Sequence, residues 1–229
     1  MKRLVLGDGL LGKTIVDGTG WDYISRKKDG IDFRKPDTYA DYIKGYDEVI
    51  NCIAFTETYD ERRDEHWQVN YASVVELVDL CNRFHVKLIH IGTDYLYTYS
   101  KIGATEEDVP VHCRNWYGYT KLLADAYVQL KSKNYLLLRS THKREPFLHP
   151  YAWVDQIGNF DYASIISELI IQLIRKGVTG IYNVGTETKT MYDLAKRTNP
   201  DVEPNFVLID DSTPTNVVMD VSKMKNTLK

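Results

Sequence analysis

Arg3-Leu4-Val5-Leu6-Gly7-Asp8-Gly9-Leu10-Leu11-Gly12-Lys13-Thr14 is an apolar run followed by a glycine loop, and it fits two phosphate-binding patterns. Read as Gly-x-Gly-x-x-Gly, it is a dinucleotide loop. Read as Gly-x-x-x-x-Gly-Lys-Thr, it is a nucleoside-triphosphate loop. Both patterns set a phosphate on backbone N–H groups at a helix N-terminus, where the helix dipole favours negative charge. One predicts hydride transfer and the other ATP or GTP hydrolysis.

Working outward, strand patterns fall at 3–7, 21–25, near 31–33, and at 47–53, 86–91, 135–139 and 181–184. Helical patterns fall at 10–17, from Pro36-Asp37, from about 60 to 84, from Trp116, at 162–176 and near 190–197. The helix ending at Phe84 carries an apolar stripe of Val74, Val78, Cys81 and Phe84 at helical spacing. Residues 96–115 read as a loop, 142–158 as irregular chain, and the tail as mostly loop. Strands alternating with helices at this spacing predict an α/β fold, a Rossmann-type doubly wound parallel sheet with a small C-terminal lobe. Residues 1–141 are expected to form the nucleotide-binding domain, an NAD(P)-binding one on the dinucleotide reading. Residues 142–229 are expected to form a small substrate-binding lobe interleaved with it. Ligands of such sheets sit at the carboxyl ends of the strands. That directs attention to Gly7–Gly12, Ser25-Arg26, Ala54-Phe55-Thr56, Thr93-Asp94 and Ser140-Thr141.

Composition narrows the partners. The chain has 229 residues, a net charge of -3, 43% hydrophobic and 27% charged residues. These values suit a soluble globular protein with a core large enough to need no disulfide or metal. The near-neutral balance argues against nucleic acid or an anionic membrane as partner, and no metal site is expected. Cys52, Cys81 and Cys113 are widely spaced and read as free thiols of a reducing compartment. No apolar run reaches the ~18–20 residues of a membrane span. The apolar run after Lys2-Arg3 is broken at once by Gly7, so it reads as a first strand and not a leader. A cytoplasmic location is expected.

A second signal favours the dinucleotide reading. Tyr117-Gly118-Tyr119-Thr120-Lys121 puts a phenol and an ammonium one helical turn apart. The ammonium is expected to lower the phenol's pKa, so that Tyr117 delivers a proton near neutral pH. The pattern also occurs at Tyr23/Lys27, Tyr97/Lys101, Tyr127/Lys131 and Tyr192/Lys196, and position separates them. Only Tyr117 opens the helix after the strand that ends at Thr93, whose hydroxyl is the third part of a proton-donating trio. Lys13 and Thr14 then become ordinary first-turn helix residues.

With these residues in place the chain resembles the extended short-chain dehydrogenase/reductases, specifically the dTDP-4-dehydrorhamnose reductase family. The resemblance rests on several stretches taken in order: Gly7–Gly12, Asn51-Cys52-Ile53-Ala54-Phe55-Thr56, Val69-Asn70, and Gly92-Thr93-Asp94-Tyr95-Leu96-Tyr97. Glu106-Glu107-Asp108-x-Pro110, Trp116-Tyr117-Gly118-x-x-Lys121-Leu122 and Met219-Asp220-Val221-Ser222-Lys223-Met224 continue it. It covers most of residues 1–140 and returns in patches later. It implies a reductase of the 4-keto group of a nucleotide-linked 4-keto-6-deoxy sugar, working in deoxysugar biosynthesis.

The implied catalytic residues are Thr93, Tyr117 and Lys121, with Lys121 also holding the nicotinamide ribose. Cofactor binding falls to Gly7, Gly9, Leu10, Leu11, Gly12, Arg26, Cys52, Ile53, Ala54, Thr56, Tyr117 and Lys121. Substrate binding falls to Thr56, Thr93, Asp94, Tyr95 and Thr141. The ribose end of the cofactor meets Ser25-Arg26-Lys27-Lys28 in place of an acidic residue. Arg26, helped by Lys27 or Lys28, can grip a 2′-phosphate, so NADPH is expected, with NADH also accepted.

The departures are specific. The glycine loop is one residue shorter than the family's Gly-x-x-Gly-x-x-Gly, and the chain is roughly sixty residues shorter than family norms. His142-Lys143-Arg144-Glu145 replaces an aromatic-rich stretch, and Thr213-Pro214 stands where the family tends to have Arg-Pro. Tyr95 occupies the position of the cysteine used by epimerase-reductases, so reduction without epimerisation is expected, and Cys113 is read as a passive thiol. An epimerase-reductase and a catalytically reduced NADP-binding regulatory subunit remain the alternatives. A homodimer is compatible with all of these.

Overall fold

The computed structural model describes residues 1–112, 114–206 and 212–229. Cys113 lies outside the described residues. From the N-terminus run β1 (Arg3–Leu6), α1 (Leu10–Thr19), β2 (Asp22–Ile24), α2 (Arg26–Asp29), α3 (Ala40–Ile43) and β3 (Glu48–Asn51). Then come α4 (Arg63–Glu65), a π-helical stretch (His66–Ala72), α5 (Ser73–Phe84), β4 (Lys87–Ile91), α6 (Trp116–Lys131) and β5 (Tyr135–Arg139). The C-terminal part contains β6 (His142–Lys143), β7 (Tyr151–Trp153), β8 (Ile157–Gly158), β9 (Asp161–Tyr162), α7 (Ala163–Arg175) and β10 (Gly180–Asn183). It ends with β11 (Lys189–Thr190), α8 (Met191–Lys196), β12 (Glu203–Asn205), β13 (Asn216–Val217) and α9 (Ser222–Leu228).

The central sheet has six strands in the order β10-β5-β4-β3-β1-β2, and every pairing is parallel. Alternate residues of each strand feed two cores, as a sheet covered on both faces requires. Val5, Ile50, Ile89 and Leu136 pack with Ile166, Ile170 and Ile174 of α7. Leu4, Leu6, Val49 and Leu88 pack with Val74, Leu77 and Val78 of α5 and Ala124 and Val128 of α6. The strand order reverses between β1 and β3, so the loops after these two strands diverge and open a crevice.

A third, smaller core lies in the C-terminal part, around Phe147, Phe160, Tyr162, Met191 and Leu194, with Tyr95 packed into it. This part also returns β10 to the main sheet. The Asn183 amide donates to the carbonyls of Ala104 and Asp220, at 3.0 and 3.2 Å, and its backbone N–H donates to Glu106. These bonds tie the Glu106 and Asp220 stretches to the end of β10.

Two expectations fail. Residues 31–33 form a turn, not a strand. Gly30 ends α2 in the left-handed conformation, φ 72°, and Ile31 and Phe33 beyond it are both buried in the second core. Residues 142–158 carry the short strands β6, β7 and β8 and are not irregular chain. The tail is mostly loop among its described residues, but α9 closes it. Its apolar residues, Met224 and Leu228, are one helical turn apart and too few to raise a periodic signal; packing on the first core makes the helix.

Candidate functional site

The glycine loop is set by close packing. Gly7 has φ 93°, and a Cβ there would lie 2.7 Å from Ile53 Cγ1. A Cβ on Gly12 would lie 2.1 Å from the Gly7 carbonyl oxygen, so Gly12 is what lets α1 sit against β1. Gly9 differs: nothing lies within 4 Å of its missing Cβ. It caps α1 without a side-chain hydrogen bond, and Gly9, Leu10 and Leu11 line a cavity of about 320 Å³. The free N–H groups of the first turn and the open space at Gly9 fit a pyrophosphate. Lys13 points elsewhere: it is exposed and paired with Asp17 at 2.8 Å, and Thr14 Oγ1 donates to the Leu10 carbonyl.

A second cavity, of about 500 Å³, shares Gly9, Cys52, Ile53 and Ala54 with the first and continues to Gly7 and Arg26. The two form one groove across the carboxyl ends of β1 and β3. Arg26 reaches it as the first residue of α2, where Ser25 Oγ accepts from the Lys28 N–H at 3.0 Å and donates to Asp8. Lys27 and Lys28 do not reach it. They line a separate hollow beside Tyr23, because α2 turns them to the other side. Burial pushes the Cys52 thiol up to about 12, so it serves as an apolar wall.

Asn70 holds the far wall. Its side chain accepts from the Phe55 N–H at 2.8 Å and donates to the Phe55 carbonyl at 3.1 Å. It does so from the π-helical stretch, an irregularity common at functional sites. Ala54 and Thr56 are thereby fixed in the cleft.

Thr93, Tyr117 and Lys121 all line the first cavity, opposite Leu10 and Leu11. Thr93 ends the segment after β4. Tyr117 and Lys121 share one face of α6, whose start is fixed by Asn115 Oδ1 accepting from the Gly118 N–H at 2.6 Å. Hydrogen bonding to Thr93 favours the Tyr117 phenolate, but burial outweighs it and pushes the phenol up to about 12. The expected lowering by Lys121 is therefore absent. The Lys121 ammonium donates instead to the Ile91 carbonyl at 2.7 Å, and burial pulls its pKa down to about 8.

Tyr95 lines this cavity and also a neighbouring aromatic pocket with Phe147, Tyr151 and Trp153. Thr141 lines the first. Asp94 does not stand on the rim: it is 0% exposed and lies behind Thr93. Its Oδ1 accepts from the hydroxyls of Thr93, at 3.5 Å, and Thr141, and burial raises the carboxyl to about 6. Gly12 likewise serves from beneath and does not line the groove.

Three residues that sequence reasoning did not single out for the site belong to it. Asn70 was visible only as part of a family stretch. His142 and Lys143 line the cleft beside Ser140, which its place after β5 had pointed to, and the sequence signal for His142 and Lys143 was their departure from family pattern. Behind them Arg139 is fully buried against Asp125, with Nε and Nη2 each donating at 2.9 Å, which clamps the end of β5 to α6.

Residues 1–142 match the family described as RmlD substrate binding domain. The chain belongs to that family. A dTDP-4-dehydrorhamnose reductase of Mycolicibacterium smegmatis is 28% identical over 141 residues, which is 56% of this chain and 41% of the relative. The chain thus spans less than half the length of that relative. A dTDP-4-dehydrorhamnose reductase from Bacillus anthracis, solved in complex with NADP, superposes with a TM-score of 0.80 at 19% identity, covering 99% of this chain and 92% of that one. The Bordetella bronchiseptica enzyme WbmG, solved with NAD and UDP, has a TM-score of 0.79 at 15% identity and covers 99% of this chain and 87% of that one. These structures share the fold, a Rossmann-like parallel sheet. Among the described residues no helix is long and apolar enough to cross a membrane.

Proposed function

We propose that the protein is an NADPH-dependent reductase of the 4-keto group of a nucleotide-linked 4-keto-6-deoxy sugar. One observation carries the reading: Thr93, Tyr117 and Lys121 line the same cavity as the glycine loop's open face at Gly9, Leu10 and Leu11. A dinucleotide whose pyrophosphate rests on that face gives all three a task. The family's relatives named as dTDP-4-dehydrorhamnose reductases, one of them solved with NADP, support the choice of substrate and cofactor.

When bound, the reduced nicotinamide supplies a hydride to the keto carbon. The chain supplies the proton. With its pKa near 12, Tyr117 is a neutral phenol at pH 7 and stands ready to donate. Thr93 donates to the keto oxygen and orients it. The Lys121 ammonium, held by the Ile91 carbonyl at the wall of the same cavity, is left to hold the nicotinamide ribose. Cys52, Ile53 and Ala54 wall the cofactor's face, and Arg26 meets the 2′-phosphate. Tyr95 presents a phenol whose ionisation is strongly suppressed by burial, which suits reduction without epimerisation.

NADPH oxidation measured against a panel of dTDP-, UDP- and GDP-linked 4-keto-6-deoxy sugars tests this. Turnover with at least one, and none with simple ketones, is expected. Normal NADPH binding without turnover of any of them would identify a cofactor-binding regulatory subunit instead.

A further inference from the structure

Buried lysines in this protein have their ammonium groups satisfied. Lys87 donates to the Val178 carbonyl at 2.7 Å and stands 3.5 Å from Glu48. Lys121 donates to Ile91. Lys189 donates to the Phe160 carbonyl at 3.0 Å and pairs with Asp161 at 3.1 Å. Lys143 is the exception. It is half-buried, and among the described residues no hydrogen bond or ion pair engages its ammonium.

Its position gives the reason. Lys143 lines both the cavity that holds Thr93 and Tyr117 and the aromatic pocket of Phe147, Tyr151 and Trp153. It stands at the passage between them, shared only with Thr58 and Tyr95. Among the described residues three further polar atoms nearby are buried without hydrogen-bond partners: Ser140 Oγ, His142 Nδ1 and Asp94 Oδ2. Ser140 and His142 line the same cavity, and Ser140 is 4% exposed. Buried polar atoms without partners are uncommon, and a cluster of them beside a cleft marks where a ligand completes the bonding. Burial lowers the Lys143 pKa, opposed by the Asp94 carboxylate, so Asp94 favours its charged form without quenching it as an ion pair. Lys143 also lies one residue past the stretch that matches the family.

We infer that Lys143 is a specificity-determining residue that captures an anionic oxyacid group of the substrate between the reacting carbonyl and the aromatic pocket. That group is either the diphosphate of the nucleotide or a carboxylate on the sugar. The inference deepens the proposed function and rests on it. A substrate that places its keto carbon at Tyr117 and its base among Phe147, Tyr151 and Trp153 must pass its charged middle across Lys143.

The test uses the full chain loaded with NADP, as wild type, Lys143→Met and Lys143→Arg. Binding of UDP, UDP-glucose and UDP-glucuronic acid is measured by calorimetry, and NADPH binding by fluorescence. Lys143→Met is expected to bind NADPH normally and to weaken the anionic ligand by roughly 10- to 100-fold, the loss of one charge-assisted hydrogen bond, with Lys143→Arg restoring most of it. A loss shared by all three ligands assigns the diphosphate. A loss confined to UDP-glucuronic acid assigns the carboxylate. Equal affinities in wild type and Lys143→Met, or no binding of these ligands to an NADPH-competent wild type, overturn the inference. Failure of the wild type to bind NADPH overturns the proposed function itself.

Discussion

From Arg26 to Leu11 the groove offers a ligand mostly backbone: the first-turn N–H groups of α1 and the open face of Gly9, walled by Cys52, Ile53 and Ala54. From Thr93 to Trp153 the surface is side chains: hydroxyls, two lysines, two histidines and a row of aromatic rings. Backbone donors come with the fold and suit a ligand common to the whole family. Side chains vary without disturbing the sheet, so they decide which substrate is taken. The two halves should therefore respond differently to substitution.

The largest effect belongs to the side-chain half. Tyr117→Phe should lower turnover by about 10²–10⁴-fold while leaving NADPH affinity within about twofold, because one positioned proton donor is lost. Stopped-flow turnover and a fluorescence titration separate the two. A joint loss would show that Tyr117 belongs to the cofactor half, and near-normal turnover would remove it from the chemistry.

Asp94 gives a pH signature behind that half. Its folded pKa of about 6 lies above the unfolded value of 3.8, so the native state holds the proton more tightly between them. The stability this contributes is complete below about pH 4 and is lost as pH rises through about 6. Asp94→Asn cannot ionise. Its stability relative to wild type should rise between pH 4 and 7, by up to about 3 kcal/mol. Urea unfolding at both pH values reads this, and a flat difference would mean the carboxyl is not perturbed.

The backbone half is probed by two glycines. Gly12→Ala should destabilise the fold by about 1–3 kcal/mol or more, since its Cβ would meet the Gly7 carbonyl. Gly9→Ala should melt like wild type and lose NADPH affinity, since its Cβ projects into open space where the pyrophosphate rests. If both variants lost only stability, the loop would be packing and not a cradle.

The smallest effect is at the far end. Arg26→Ala should weaken NADPH by roughly tenfold and leave NADH unchanged, because only the former carries a 2′-phosphate. Equal losses for both cofactors would reduce Arg26 to a general wall of the groove.

The sheet, its two covering layers, the glycine loop and the trio of Thr93, Tyr117 and Lys121 were legible in the residues. Apolar alternation, helical spacing and glycine placement are local signals, and parallel strands leave little freedom in how they assemble. The family resemblance named the same trio by the same local stretches. What local pattern could not supply was environment. Lys121 was expected to lower the Tyr117 pKa through spacing alone. In the fold, burial dominates the phenol, and a carbonyl from β4 holds the ammonium. Asp94 looked like a rim residue because it follows a strand, yet the chain turns it inward behind Thr93. Lys27 or Lys28 was expected to help Arg26, but α2 turns both out of the groove. Lys143 became a site residue only when β6 carried it to the passage between two cavities, far in sequence from the loop at Gly7. Desolvation and long-range proximity depend on the whole packed chain, so the sequence by itself determined the scaffold and brought forward Thr93, Tyr117 and Lys121 as candidates, and the tertiary structure decided which charges are spent on the protein and which face the cavity.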